Sequence, residues 1–132
     1  MSKEIAHNID SLYQRICTIV ENAKDNVYRT ANFEMVQAYW NIGRTIVEEE
    51  QNGEERAEYG LELIKQLAKK LTQKHGKGFT ETNLKYMRQF YQVFDKSHAL
   101  RDQLSWTHYR LLLKVENEKA REFYIQEAID CN

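Results

Sequence analysis

Apolar residues recur at helical spacing along almost the whole chain. Near the N-terminus they follow one another at alternating intervals of four and three residues, which is the spacing of a coiled-coil seam. We call these positions the seam: Ile5, Ile9, Leu12, Ile16, Ile19 and Ala23. The pattern predicts a first amphipathic helix over residues 3–24, whose narrow apolar stripe must be covered by another helix or by a second chain.

A second helix is expected over about residues 30–51, where two adjacent rows of apolar residues give it a broad face to bury. Gly53 follows this segment in a position that commonly ends a helix. The acidic run at residues 48–50 is expected to be solvated, because carboxylates at a helix C-terminus oppose the helix dipole.

The next two helices are predicted over about residues 57–74 and 80–94, on either side of the sequence HGKGF. Gly76 and Gly78 lie in this short segment, and glycine tolerates the backbone angles that a tight helix exit requires. Thr80 is a good N-cap for the following helix. The sequence therefore predicts a helix-turn-helix-like unit at this point.

Ser105 and Asn117 are placed to cap a fifth helix through Val115 and a sixth from Glu118 towards Asp130. The chain has 132 residues, five glycines and no proline, and no segment has the alternating pattern of a strand. We therefore predict a single all-α domain of about six helices. No apolar run approaches the ~18 residues of a membrane span and no signal peptide is evident, so a cytoplasmic location without membrane contact is expected.

Charge is distributed unevenly, although the formal net charge is only −1. Residues 61–89 carry seven basic and two acidic side chains, a net of +5, whereas residues 1–60 carry a net of −5 and residues 90–132 a net of −1. The basic block coincides with the predicted helix-turn-helix-like unit. Such a block is typical of a surface that binds the phosphate backbone of a nucleic acid.

A helix that binds DNA buries one face and presents Thr, Asn, Gln, Lys or Arg on the other, because these side chains can bind phosphates and base edges. Nine residues in and around the turn meet this requirement. They are Lys69, Lys74, Lys77, Thr80, Thr82, Asn83, Lys85, Arg88 and Gln89. The same pattern also occurs in a plain helical hairpin with a solvated polar face, so both interpretations remain open.

No arrangement of catalytic or metal-binding residues accompanies these nine. The four histidines and two cysteines lack the spacing of metal ligands, and no nuclease, kinase or hydrolase motif is present. We therefore predict no catalytic residue, no metal site and no cofactor. By itself this chain is not expected to be an enzyme.

Four stretches of the chain are distinctive together: YWNIGRTIVEEEQNGEERAEYG, GKGFTETNLKYMRQFY, QLSWTHYRLLL and AREFYIQEAI, in that order. They resemble the N-terminal domain of the YhcG-type family of PD-(D/E)XK nucleases, long catalogued as a domain of unknown function. The likeness covers about residues 39–128. It implies a DNA-binding, helix-turn-helix-like domain, and the implied DNA contacts fall on Thr80, Thr82, Asn83, Lys85 and Arg88.

Members of that family continue beyond the last of these stretches into a Trp-containing segment and a C-terminal nuclease-like domain, whereas this chain stops at Asn132. We therefore expect an isolated domain over residues 1–132, without the family's catalytic acids and their metal. The resemblance favours a DNA-binding module that targets an attached nuclease domain. The alternative is a protein-interaction module, in which the helix over residues 3–24 forms a homodimer and the basic block is only solvated.

Overall fold

The computed structural model describes residues 2–52, 57–96 and 100–131. Within these ranges the chain forms five α-helices and one 3-10 turn, and it contains no β-strand. The helices are α1 (Lys3–Asn52), α2 (Ala57–His75), α3 (Glu81–Val93), α4 (Trp106–Leu112) and α5 (Glu118–Asp130), and the 3-10 turn spans Lys77–Phe79. The prediction of an all-α fold is confirmed.

The two helices expected over residues 3–24 and 30–51 are one continuous helix, α1, of 50 residues. The prediction of a break between them is wrong. The apolar stripe changes face between residues 24 and 30, but no Gly or Pro lies there to end the helix. Gly53, the expected stop, lies outside the described residues.

Two hydrophobic clusters hold the helices together, and α3 contributes to both. Phe90 and Phe94 belong to the larger cluster, which joins α1, α3, α4 and α5. Leu84 and Met87 belong to the smaller cluster, which joins α1, α2 and α3, and Trp106 packs against both clusters. Because α3 packs more extensively against α1 than against α2, α1 is its main support.

The backbones of α1 and α3 approach each other closely at Gly43. A Cβ at this position would overlap the carbonyl oxygen of Met87. Trp40, about one turn earlier, donates its indole N–H to the carbonyl oxygen of Phe94, and its ring meets Tyr91 edge-on with 5.1 Å between the ring centroids. The second half of α1 is therefore the platform on which α3 is seated.

The predicted caps of the last two helices are confirmed. The hydroxyl of Ser105 accepts a hydrogen bond from the backbone N–H of His108, and His108 Nδ1 accepts one in return from the N–H of Ser105 at 3.0 Å. The side chain of Asn117 accepts a hydrogen bond from the N–H of Ala120 at 2.9 Å. None of the helices in the described ranges has both the length and the apolar character that crossing a membrane requires.

Candidate nucleic-acid interface

The turn between α2 and α3 is fixed by side chains as well as by backbone geometry. Gly76 has φ 88° and ψ −161°, a conformation that is essentially restricted to glycine. The hydroxyl of Thr72 donates to the carbonyl of Phe79 at 3.3 Å, and the amide of Asn83 donates to the carbonyl of Gly78 at 3.1 Å. These bonds link the turn to both helices and define the position at which α3 begins.

The two glycines of the turn have different roles. Gly76 is the one residue in the described ranges with a positive φ. Gly78 lies in the 3-10 turn with an ordinary φ, and a Cβ added to it would meet nothing within 4 Å. The turn therefore requires glycine at position 76 but not at position 78.

Thr80 caps α3 as the sequence predicts. Its hydroxyl accepts a hydrogen bond from the backbone N–H of Asn83 at 3.2 Å, and α3 begins at the next residue, Glu81. Since the Asn83 side chain is also bonded to the turn, both residues hold the start of α3 in place. Their side chains are thus already engaged within the protein.

Arg88 and Gln89 are half-buried and contact other helices. The guanidinium of Arg88 pairs with the carboxylate of Glu50, at the end of α1, with 3.1 Å between Nη1 and Oε1. The side-chain amide of Gln89 donates to the carbonyl of Leu113, just after α4, at 3.3 Å. These two candidate residues therefore connect α3 to its neighbours.

The other five candidate residues are exposed: Lys69 and Lys74 on α2, Lys77 in the 3-10 turn, and Thr82 and Lys85 on α3. The structure exposes two further lysines of α2, Lys65 and Lys70, which the spacing rules for a binding helix did not select. We call the six exposed lysines the lysine set: Lys65, Lys69, Lys70, Lys74, Lys77 and Lys85. No ion pair joins any of them to another residue in the described ranges.

The lysine set does not form a single line along α2. Lys65 and Lys69 line a groove between α2 and the start of α3, and Glu81 lines the same groove. In an ideal helix of 3.6 residues per turn, Lys70 and Lys74 lie roughly 140° around the axis from them. Positive charge therefore surrounds much of α2.

A half-buried arginine from α4 lies beside α3. The guanidinium carbon of Arg110 is 4.6 Å from the ring centroid of Tyr86, which is cation–π distance. Arg110 and Tyr86 are 24 positions apart in the sequence, so no helical spacing could connect them. This contact occupies one face of the Tyr86 ring within the protein.

In the acidic run at the end of α1, Glu48 and Glu49 are exposed as expected, whereas Glu50 is half-buried. Glu49 accepts a hydrogen bond from the hydroxyl of Tyr59 on α2 at 3.0 Å, and this bond raises the pKa of Tyr59. Glu50 pairs with Arg88 of α3, and each of these two side chains is only about a quarter exposed. The carboxylates thus link the end of α1 to both helices of the candidate interface.

The chemistry that this region offers is electrostatic and hydrogen-bonding. Ammonium groups bind phosphate oxygens, and the Thr82 hydroxyl and Lys85 ammonium can bind phosphates or base edges. The described residues bring together no three His, Cys, Asp or Glu side chains in an arrangement that could hold a metal ion.

A family model described as the DUF1016 N-terminal domain matches residues 15–132. Among curated proteins, "Putative nuclease YhcG" of Escherichia coli (strain K12) is 39% identical over 94 residues. The aligned stretch covers 71% of this chain but only 25% of the E. coli protein, so the chain spans about a quarter of the length of that relative. No solved structure matches the chain significantly.

Proposed function

This chain belongs to the family of DUF1016 N-terminal domains, and from that premise we propose that it is a helix-turn-helix-like DNA-binding module that targets an attached nuclease domain. The observation that carries the proposal is the lysine set, six exposed cations on α2, the turn and α3 in a chain of net charge −1. Acidic residues dominate the sequence before this segment, so the positive charge is local.

The lysine set suits contacts with the phosphate backbone. Each ammonium group that meets a phosphate releases bound counterions, which favours association and makes it sensitive to salt. Because the lysines lie on two sides of α2, they can contact more than one stretch of backbone. The segment that contains them has a net charge of +5, which also steers a polyanion towards this side of the protein.

The start of α3 supplies the groups that can contact base edges. Thr82 and Lys85 are exposed at a spacing of three residues, and Gln92 is exposed further along the same face. Arg88 and Gln89 are bonded to neighbouring helices, so we assign them to positioning α3 instead of contacting DNA. Thr80 and Asn83 have the same positioning role at the turn.

The attached nuclease domain is proposed from the E. coli relative. That protein is named as a nuclease, and the aligned stretch covers only 25% of it. The larger part of such a protein has room for a catalytic domain, which would need a separate surface to hold its nucleic-acid substrate. A helical domain that carries a local basic segment, as this chain does over residues 61–89, can provide that surface.

A salt titration of binding tests the proposal. The protein is mixed with fluorescein-labelled duplex, branched and single-stranded DNA, and binding is followed by anisotropy. If four to six lysines contact phosphates, affinity should fall on the order of 10²- to 10³-fold between about 50 and 200 mM salt. If none of the three DNAs binds at about 50 mM salt, the proposal is contradicted. If binding occurs, the DNA that binds with the highest affinity identifies the preferred substrate structure.

A second candidate function is self-association through residues 3–24 of α1. The observation that favours it is the exposure of the seam, of which Ile9 and Ile16 keep 48% and 49% of their surface in contact with solvent. Self-association does not require the lysine set, so mutation can separate the two functions.

A further inference from the structure

The seam is uncovered in the described protein. The relative exposure of its five large side chains, Ile5, Ile9, Leu12, Ile16 and Ile19, lies between 48% and 67%. Tyr13 and Val20 widen the apolar surface on one side of the seam, with exposures of 63% and 44%. A regular apolar stripe of this length on a soluble helix indicates a surface that another helix covers.

The seam points away from the protein's own core. In an ideal α-helix the centre of the seam lies roughly 140° around the axis from the mean direction of the buried apolar residues in the second half of α1, which are Val36, Trp40, Ile46 and Val47. The helices that cover those residues therefore pack on a different side of α1. A partner helix can reach the seam without displacing them.

We propose that a second copy of this chain covers the seam, so that two α1 helices form a coiled coil over residues 3–24. The alternating intervals of four and three residues persist through six positions, and this repeat allows the side chains of two equivalent helices to interlock. Residues 3–24 contain three acidic and three basic side chains, so two copies meet without net repulsion. This segment has no net charge that would complement a strongly charged partner.

The size of the apolar surface also fits a dimer. The five large seam side chains together with Tyr13 and Val20 offer on the order of 700 Å² of exposed surface, close to the roughly 800 Å² that each partner buries in a stable interface. This association goes beyond the proposed DNA binding and does not depend on it.

Sedimentation equilibrium from about 1 to about 100 µM tests the proposal. The double variant Ile9→Gln/Ile16→Gln places two amides in the middle of the seam, and Gln retains a high helix propensity. The parent is expected to dimerise, and the variant's dissociation constant should be at least about 100-fold higher. The matched control, His7→Gln/Glu21→Gln, changes two residues on the opposite side of the helix and should dimerise like the parent.

Tryptophan fluorescence separates loss of association from loss of folding. Trp40 is buried in the larger cluster and Trp106 packs against both clusters, so their emission reports the unfolding of the core. A monomeric seam variant with an unchanged core unfolding midpoint supports the proposal. A parent that remains monomeric at about 100 µM would overturn it, as would a seam variant that dimerises as tightly as the parent.

Discussion

The two halves of α1 have the same helical period but different surroundings. In the second half, Val36 is completely buried and Trp40 is 6% exposed, because α3 and α4 pack against them. In the first half, Ile9 and Ile16 are about half exposed. The comparison shows that an apolar period identifies the side of a helix that must be covered, but not the molecule that covers it.

The covered half of α1 also positions the proposed DNA-binding helices. Gly43 lies against the backbone of α3, Glu49 is bonded to α2, and Glu50 is paired with α3. Substitutions that disrupt these contacts should therefore lower the stability of the core and also shift the position of the lysine set. Substitutions in the exposed half should leave the stability of the core and the position of the lysine set unchanged.

The largest expected contrast in stability is between two large-to-small substitutions. One removes a side chain that packs against the covered half of α1, and the other removes a side chain of the exposed half. Phe90→Ala should lower the free energy of unfolding by about 3–5 kcal/mol, because Phe90 is completely buried in the cluster that covers Trp40. Ile16→Ala should change the stability of the monomer by less than about 0.5 kcal/mol. Urea denaturation of dilute protein, followed by tryptophan fluorescence, measures both. Equal losses of unfolding free energy in the two variants would contradict this difference in burial between the two halves of α1.

The close approach of α1 and α3 can be broken by a single methyl group. Gly43→Ala should cost about 3 kcal/mol of unfolding free energy, because its Cβ would overlap backbone atoms of Met87 and the helices would have to separate. Thr45→Ala, at an exposed position of the same helix, is the control and should stay within about 0.5 kcal/mol of the parent. A tolerated Gly43→Ala would mean that α3 does not rest on α1 in this way.

The turn that joins α2 to α3 offers a matched pair of glycines. Gly76→Ala should cost about 1–3 kcal/mol, because its backbone angles are strained for any residue with a Cβ. Gly78→Ala should be nearly neutral, since its φ is ordinary and the space around it is open. Thermal unfolding of the two variants distinguishes them. Similar unfolding temperatures would contradict the geometry of the turn.

The ion pair between the end of α1 and α3 should give the smallest effect. Arg88→Ala and Glu50→Ala should each cost about 1 kcal/mol, and the double variant should cost less than the sum of the two. A double-mutant cycle measured by urea denaturation tests this coupling. If Arg88→Ala instead leaves stability unchanged and weakens DNA binding, Arg88 contacts DNA directly, as the sequence alone suggested.

Local signals made much of this fold predictable. Thr80, Ser105 and Asn117 each cap the helix that they were expected to cap, because a side-chain acceptor at a helix start acts over only three residues. The continuity of α1 was harder to predict, since a stripe that changes face resembles a helix break when only the period is considered. The absence of Gly and Pro between residues 24 and 30 was the better signal.

The candidate site was less predictable, because its engaged residues have partners that are far away in the sequence. Arg88 is 38 positions from Glu50, and Gln89 is 24 positions from Leu113. Helical spacing placed Gln89 on the polar face of α3 and Arg88 near the edge of that face, but it could not reveal these long-range contacts. Exposure was predicted correctly for the four candidate lysines, Lys69, Lys74, Lys77 and Lys85, because the charge of a lysine keeps it in solvent.

The most direct test of DNA binding by the lysine set compares two double variants that remove the same charge. Lys77→Ala/Lys85→Ala removes cations from the turn and α3, whereas Lys114→Ala/Lys119→Ala removes exposed cations near α4 and α5. In salt-titrated anisotropy with labelled duplex DNA, the first variant should bind more than about tenfold more weakly, with a log–log salt slope shallower by about two, while the second binds like the parent. If both variants bind equally well, the lysine set is not the DNA-binding surface.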